Sequence, residues 1–125
     1  MKMLDIQQAI FDKLTAELSV PVFDHVPQET HYPYAVVGDD TSTPFDTDDS
    51  TGTEATVTIH TWSQYRGRKE AKELNQAIYN ALHRETLEIN GAHFVECFSE
   101  FEQTLVESDG LTRHGINRFR IIIEF

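Results

Sequence analysis

Two stretches of the chain carry apolar residues at the spacing of a helix face. The first predicts a helix over residues 4–18, which ends before Pro21 because a residue that precedes proline avoids the α region. The second predicts a helix over residues 66–84, in which Lys69 and Glu73 form a surface ion pair four residues apart. The first apolar stripe consists of Ile6, Ile10, Leu14 and either Leu18 or Phe11, and the second consists of Ala71, Leu74, Ile78, Ala81 and Leu82.

Elsewhere apolar and polar residues alternate, which is typical of strands with one buried face. The predicted strands are 22–26, 34–38, 53–62, 87–89, 93–101 and 116–125. Asn90-Gly91 predicts a hairpin turn between the fourth and the fifth of these strands, and Asp109-Gly110 predicts a turn before the last. In the third and the last strand, the residues predicted to face the core are Ala55, Val57, Ile59, Phe119, Ile121, Ile123 and Phe125. Those predicted on the other face are Thr56, Thr58, His60, Trp62, Arg118 and Arg120.

The segment from Asp39 to Gly52 interrupts this alternation. It is rich in Asp, Thr and Ser and contains Pro44, which predicts a long acidic loop or an extended hairpin arm. The order of helices and strands, with a length of 125 residues, predicts a single α+β domain over residues 1–125. We expect two helices packed on one face of a mostly antiparallel β-sheet.

The composition narrows the classes of function. The 21 Asp and Glu residues outnumber the 10 Lys and Arg residues and give a net charge of -11, so the surface repels phosphate and we expect no tight nucleic-acid binding. DNA can still pass along such a surface without sticking to it. The chain has one cysteine and no apolar run long enough to span a bilayer, and we expect no leader segment. We therefore expect synthesis in a reducing cytoplasm and no membrane contact.

No stretch of the chain has the spacing of a known catalytic or metal-binding motif. A calcium loop that started at Asp46 would need glycine in place of Thr51 and glutamate in place of Val57. The six histidines never pair at i, i+2 or i, i+4 spacing, although residues far apart in the chain remain free to converge. Cys97 lies in an apolar stretch and is expected in the core, where its pKa is raised. We expect no enzyme activity, no catalytic residue, no metal and no cofactor.

Charged residues point to an interface instead. Arg66, Arg68 and Lys69 cluster where the second helix begins, and basic groups oppose the helix dipole at that end. This mild local cost favours contact with an acidic surface, which the acidic segment of a neighbouring copy would supply in a head-to-tail contact. The alternative is that these charges have no partner and belong to a solvated helix end and a charged edge strand. The candidate interface residues are Asp39, Asp40, Asp46, Asp48, Asp49, Trp62, Tyr65, Arg66, Arg68, Lys69, Arg118 and Arg120.

Two aromatic residues, Trp62 and Tyr65, close the third predicted strand. Their packing against the second helix is favoured slightly over the alternative that they are exposed. Exposed aromatic side chains of this kind are enriched as anchors of protein interfaces. Only the second arrangement would make them part of a contact with a partner.

Five segments of the chain carry a resemblance to a known family. They are Tyr32-Pro-Tyr-Ala-Val-Val-Gly-Asp-Asp-Thr, Thr56-Val-Thr-Ile-His-Thr-Trp-Ser, Gly67-Arg-Lys-Glu, Ala81-Leu-His and Asp109-Gly-Leu-Thr-Arg-His-Gly. Their order and spacing resemble those of the tail completion proteins of long-tailed phages and prophages, which are also called tail-to-head joining or tail terminator proteins. The resemblance spans nearly the whole chain, and residues 1–30 add only an amphipathic helix.

The resemblance implies a virion structural protein at the head–tail interface that is not an enzyme and needs no cofactor. It implies a small α+β subunit that assembles into a ring, expected to be a hexamer. We also expect the free subunit to be monomeric. The ring would cap the tail tube and dock to the head connector or stopper, with DNA passing through its channel without specific binding. The protein would be made in the host cytoplasm.

Two other classes of function remain as alternatives. A small cytoplasmic protein-binding or regulatory module without enzyme activity fits the same composition. A metal-dependent hydrolase that used the aspartates with a histidine would need ligands that converge only in the fold.

Overall fold

The computed structural model describes residues 2–125. Within these residues, two helices and five strands follow one another as α1 (Met3–Glu17), β1 (Val22–Phe23), β2 (Tyr34–Pro44), β3 (Gly52–Ser63), α2 (Lys69–Leu82), β4 (His93–Val106) and β5 (Arg113–Glu124). The strands form one sheet in the order β1-β2-β3-β5-β4. β1 and β2 are parallel, and every other neighbouring pair is antiparallel. The predicted α+β class with a mostly antiparallel sheet is confirmed.

Both helices pack on the same face of the sheet, because their apolar stripes meet the same rows of strand residues. The core that they share is formed by Ile6, Ile10, Leu14, Val37, Ala55, Val57, Ile59, Ile78, Ala81, Leu82, Leu87, Ile89, Cys97, Phe119, Ile121 and Ile123. In β3 and β5, the core residues are those predicted from alternation, with the exception of Phe125. Since successive side chains of a strand point to opposite faces, the other face of the sheet lies open in the part of the chain that the structure describes.

The acidic segment from Asp39 to Gly52 is a hairpin arm and not a loop throughout. β2 continues to Pro44, β3 starts at Gly52, and only residues 45–51 connect them. The register shifts after Val37, so a bulge lies where the arm leaves the core. The threonines of the arm explain why a polar segment continues the ladder, because β-branched residues fit a pleated strand.

The predicted strand 87–89 and the hairpin that it was expected to start are wrong. Leu87 and Ile89 are buried, but they belong to an irregular segment between α2 and β4. A short apolar run between turn residues has the same pattern whether it forms a strand or fills a gap in the core, and periodicity does not distinguish the two. The hairpin that does form joins β4 and β5 at the second predicted turn, which contains Asp109.

Several predicted ends shift in the structure. α2 starts at Lys69, three residues later than predicted, because Gly67 has a φ of +70° and interrupts the helical backbone. β4 extends to Val106 and β5 starts at Arg113, so their hairpin is longer than predicted, whereas β1 is shorter. Phe125 lies beyond the end of β5 and is 51% exposed, so its predicted core position is wrong. No helix among the described residues is long and apolar enough to cross a membrane.

Candidate functional site

The open face of the sheet carries a cluster of two histidines, a tryptophan and a glutamate. Trp62 pairs with His114 across β3 and β5, and their side-chain rings stack with centroids 3.8 Å apart and an interplanar angle of 13°. His60 lies on the same face, and its Nδ1 is 2.7 Å from Nε2 of His114. The other ring nitrogen of His114, Nδ1, is 2.7 Å from Oε1 of Glu107. We call these four residues the histidine cluster.

The facing ring nitrogens of His60 and His114 hold a single proton between them. The Glu107 carboxylate accepts a hydrogen bond from Nδ1 of His114, so Nε2 of His114 is left to meet Nδ1 of His60. Only one proton fits between these two nitrogens, and two protonated imidazoles would place one N–H against the other. Burial is the largest cause that lowers the pKa of His60, followed by the charge of His114, while Asp39 acts in the opposite direction. The cluster therefore favours a neutral His60.

Stability is expected to depend on pH through His60. Because the folded state lowers the pKa of His60 from its ordinary value of 6.5, the folded chain binds this proton less readily than the unfolded chain. The stability contributed by neutral His60 is therefore present above pH 6.5 and is lost as the pH falls through the lowered pKa. Urea unfolding of the wild type and of His60→Gln, compared between about pH 7.5 and pH 5, is expected to show a stability difference that shrinks with acidity.

The matched control is His93→Gln, at an exposed histidine of β4. The comparison with a variant at each pH removes the general effect of relieving repulsion among the many carboxylates, which acts on every chain alike. A stability difference between wild type and His60→Gln that stayed constant over this range would contradict the role of His60. The role of His60 would also be contradicted if His93→Gln changed the pH dependence of stability as much as His60→Gln does.

Arg118 and Arg120 lie on the open face of the sheet, where the alternation predicts them, and both are already paired within the chain. Arg120 contacts Glu54 and Glu100, and Nε of Arg118 donates to Oε2 of Glu100 at 3.1 Å. The guanidinium of Arg118 also lies 5.3 Å from the centre of the Phe101 ring, which is a cation–π distance. The positive charges of these two candidate interface residues are therefore largely neutralised by the two glutamates. Only part of their charge is available to a partner.

The acidic candidates lie along the hairpin arm and are exposed. Asp39 and Asp40 belong to β2, next to the bulge, and Asp46, Asp48 and Asp49 belong to the connection between β2 and β3. The connection is ordered by its own short polar side chains, which hydrogen-bond to one another and to the backbone. Within residues 2–125, no group of three or more His, Cys, Asp and Glu side chains is placed to hold a metal ion. The arm is therefore an exposed hairpin that carries the negative charge of these aspartates.

The basic candidates lie at the far end of β3 from the arm. Arg66 and Arg68 are exposed in the connection after β3, and Lys69 is the first residue of α2. The predicted pair of Lys69 with Glu73 is present at 3.7 Å, but both side chains are exposed and such a pair contributes little. Arg113 pairs with Ser63 near this end, so about 17 Å of strand separate the basic group from the arginines of the open face. The basic candidates at the start of α2 therefore lie apart from Arg118 and Arg120, whereas Arg113 lies near them.

The two aromatic candidates have different environments. Trp62 points to the open face and stacks in the histidine cluster, so the expectation that it packs against the second helix is wrong. The reason is its register, since Ser63 and Thr61 occupy the face that the helices cover. Tyr65 lies after β3 with 62% of its surface exposed, which matches an exposed aromatic side chain and not a packed one.

Comparison with known proteins decides the family. A sequence model described as tail completion protein gp17 matches residues 8–124 of this chain. The tail completion protein gp17 of Bacillus phage SPP1 is 34% identical over 125 residues, and the match covers 94% of this chain and 91% of that protein. The chain belongs to the tail completion protein gp17 family. The resemblance inferred from the sequence is confirmed.

Solved structures agree with this membership at the level of the fold. The bacteriophage SPP1 gp17 protein superimposes with a TM-score of 0.64 at 30% identity, over 94% of this chain and 88% of that one. A chain of the native gene transfer agent (GTA) particle virion superimposes with a TM-score of 0.87, over 96% of this chain and 95% of that one. With 19% identity, the second likeness shows the fold alone.

The tail completion protein gp17 family is a family of phage structural proteins and not of enzymes. The chemistry of Cys97 agrees with that assignment. The side chain is 1% exposed, and burial raises the pKa of its thiol to about 12, so the thiol stays protonated and is no nucleophile. The expectation of a core cysteine is confirmed.

Several residues of this tail completion protein take part in the surface clusters without being singled out in the sequence. Glu54 and Glu100 match the charge of the paired arginines, and Glu107 and His114 complete the histidine cluster. The sequence contains no local signal for the contact between the two histidines, because His114 precedes the predicted last strand 116–125 and joins β5 only in the structure. The register that decides this contact is set by the β4–β5 hairpin and the β3–β5 pairing, which lie far apart in the chain.

Proposed function

We propose that this tail completion protein forms a closed ring at the head–tail interface of a phage particle and that DNA passes through the ring without specific binding. The ring contains several copies of this chain, with six as the expected number, and it contacts the head connector or stopper on one side and the tail tube on the other. The free subunit, made in the host cytoplasm, is a monomer that assembles when it docks. Family membership supports a role in completing the tail.

The observation that carries the proposal is the position of two surfaces of opposite charge. β3 runs from the acidic arm at its start to the basic group that follows its end. Its 12 residues span about 36 Å, so the two surfaces lie at opposite ends of the subunit. Complementary surfaces at opposite ends produce a head-to-tail contact, and repeated contacts of this kind close into a ring when the rotation permits.

The overall charge favours a channel through which DNA moves. A net charge of -11 on each copy repels the phosphate backbone, so DNA gains no binding energy from the wall and is not held there. Contact between the arm of one copy and the basic group of the next neutralises part of this charge locally. The same contact removes the unfavourable placement of Arg68 and Lys69 against the dipole at the start of α2.

Deletion of the protein tests the proposed function directly. Particles made without it are expected to appear in negative-stain images as loose tails and unjoined heads, and supplying the wild-type chain is expected to restore joined particles. Fully assembled, infectious phage from the deletion strain would refute the proposal. The same strain then serves as the host for variants of the proposed contact.

Complementation with charge reversals tests the contact between copies. Arg66→Glu with Arg68→Glu is expected to leave tails unjoined, because two acidic surfaces then meet. The control is Lys13→Glu with Arg84→Glu, which changes the net charge equally at positions outside the basic group. Adding Asp48→Lys and Asp49→Lys to the first pair is expected to restore joining, since the reversed surfaces again complement each other. Normal joining with the first pair alone would remove the head-to-tail contact from the proposal.

A further inference from the structure

We propose that a groove at the β4–β5 turn end of the open face binds an arginine side chain presented by a partner protein. The groove has a volume of about 280 Å³ and is lined by Tyr32, Tyr34, Trp62, Glu107, Asp109 and Thr112. We call it the tyrosine groove. Its ligand is a guanidinium group, because aromatic faces and carboxylates both attract a planar cation.

The aromatic side of the tyrosine groove is held in place before any ligand arrives. Tyr32 and Tyr34 stack on each other with centroids 5.4 Å apart, and Phe23 supports Tyr34 edge-on at 5.8 Å. Trp62 lies opposite Tyr34 in the sheet, and its ring is fixed by stacking on His114. Because these rings are already ordered, a cation that lies against them does not have to immobilise them first.

The acidic side of the tyrosine groove comes from Glu107 and Asp109. Oε1 of Glu107 is 2.7 Å from His114, which leaves its second oxygen without that contact. Asp109 accepts hydrogen bonds from the backbone of Leu111 and from the backbone and hydroxyl of Thr112, at 2.7–2.8 Å. These bonds hold the carboxylate in position, and they lower its pKa, so it stays ionised at neutral pH.

The described part of the chain places no Lys or Arg in direct contact with this pair of carboxylates, although, beside those hydrogen bonds, the charge of Arg113 contributes to the lowered pKa of Asp109. Among residues 2–125, no Lys or Arg lies within ion-pair distance of Glu107 or Asp109. The nearby Arg113 instead donates through Nη1 to the carbonyl of Leu111 at 2.5 Å. This contrasts with the arginine network on the same sheet face, where every carboxylate has a guanidinium. Charge complementarity therefore selects a cationic ligand from outside the chain.

The ligand is a different protein and not nucleic acid or a second copy of this chain. Phosphate is repelled by the two carboxylates, which excludes DNA. In the proposed ring, Arg66 and Arg68 of a neighbouring copy already contact the acidic arm; they follow Tyr65, which lines a second groove that shares Tyr32 with the first. The second groove, of about 560 Å³, also contains Glu70, so an extended basic segment finds acidic groups at both ends.

Fluorescence of the isolated full-length chain tests the proposal, because Trp62 is the one tryptophan of the sequence. The probe is the peptide acetyl-Gly-Arg-Gly-amide, and the control probe carries citrulline, the uncharged analogue of arginine, at matched ionic strength. The arginine peptide is expected to change the emission saturably with millimolar affinity, and the citrulline peptide is expected to bind at least about tenfold more weakly. Equal responses to the two peptides would overturn the proposal, as would no saturable response up to about 50 mM.

Variants locate the binding in the tyrosine groove. Glu107→Gln and Tyr32→Ala are each expected to weaken the arginine peptide by about tenfold, because each removes one attraction for the cation. Tyr79→Ala, at an exposed tyrosine of α2, is the matched control and is expected to bind as the wild type does. Unchanged binding by both groove variants, with melting temperatures like that of the wild type, would refute the site. A negative binding result would not contradict the proposed ring, because the measurement uses the isolated subunit.

Discussion

Replacement of Phe119 by alanine is expected to lower the free energy of unfolding by about 3–5 kcal/mol. Phe119 lies in β5 near the centre of the sheet, is 1% exposed and belongs to the core shared by both helices. Its removal takes away the largest fully buried side chain and leaves a cavity between the sheet and the helices, which rigid elements on both sides do not fill. Urea unfolding followed by circular dichroism measures the change through the midpoint at constant slope.

Phe101→Ala is the matched control for this prediction. Phe101 lies in β4 on the open face of the sheet, is 41% exposed and packs mainly under the guanidinium of Arg118. Its loss is expected to cost about 1 kcal/mol, because the side chain leaves no closed cavity and gives up one exposed cation–π contact. Equal destabilisation by the two alanine variants would contradict the assignment of the two sheet faces.

Gly115→Ala is expected to destabilise the protein by about 3 kcal/mol, although it adds a single methyl group. Gly115 faces α2, and a Cβ at this position would overlap the Thr61 hydroxyl and the side-chain oxygen of Asn75. That oxygen accepts hydrogen bonds from Asn117 at 2.8 Å and from Thr61 at 3.4 Å, and the Asn75 amide donates to the carbonyl of Gln103 at 3.3 Å. The added methyl group therefore displaces the centre of a buried polar network, which leaves several polar groups unpaired.

Gly110→Ala separates this close approach from the general effect of replacing glycine. Gly110 lies in the β4–β5 turn with a φ of +72°, and no atom lies within 4 Å of a Cβ built there. The variant is expected to lose about 1 kcal/mol from backbone strain alone. Thermal unfolding that placed Gly115→Ala at or above the stability of Gly110→Ala would show that the network tolerates the extra atom.

These two predictions concern the face of the sheet that the helices cover, and the proposals concern the face that they leave open. The division between a covered and an open sheet face explains how one small subunit can be stable and still offer surfaces for binding partners. Apolar side chains and the Asn75 network hold the fold together without reaching solvent. The open face, the arm and the basic group hold charge and aromatic rings in ordered positions. A partner can therefore bind these surfaces at little cost in side-chain entropy.

Much of the fold follows from local spacing in the sequence. The stripe through Ile6, Ile10 and Leu14 and the alternation through Val57 and Ile59 each define a buried face before any partner is known. A period of 3.6 or of 2 is a property of a single segment, so it can be recognised without knowing the rest of the chain. The family resemblance has the same basis, since it depends on the order and spacing of short segments.

The positions that the sequence misassigned depend on where elements end and what covers them. Phe125 continues the every-second-residue series of core positions, but the strand ends at Glu124 and the side chain is exposed. Leu87 and Ile89 form an apolar run that fills the core without joining the sheet. The acidic segment was not misassigned: its polar composition fits a loop or a hairpin arm, and the pairing of β2 with β3 decides for the hairpin.

By itself, the sequence determined the two helix stripes, the alternating faces of β3 and β5, the acidic charge, the core position of Cys97 and the membership that the tail completion motifs indicate. The tertiary structure alone decided that His60 meets His114, that Arg118 and Arg120 are matched by Glu54 and Glu100, and that the tyrosine groove forms. The physical reason is the range of the interactions. Periodicity is written in neighbouring residues, whereas these contacts require the register between strands separated by dozens of residues.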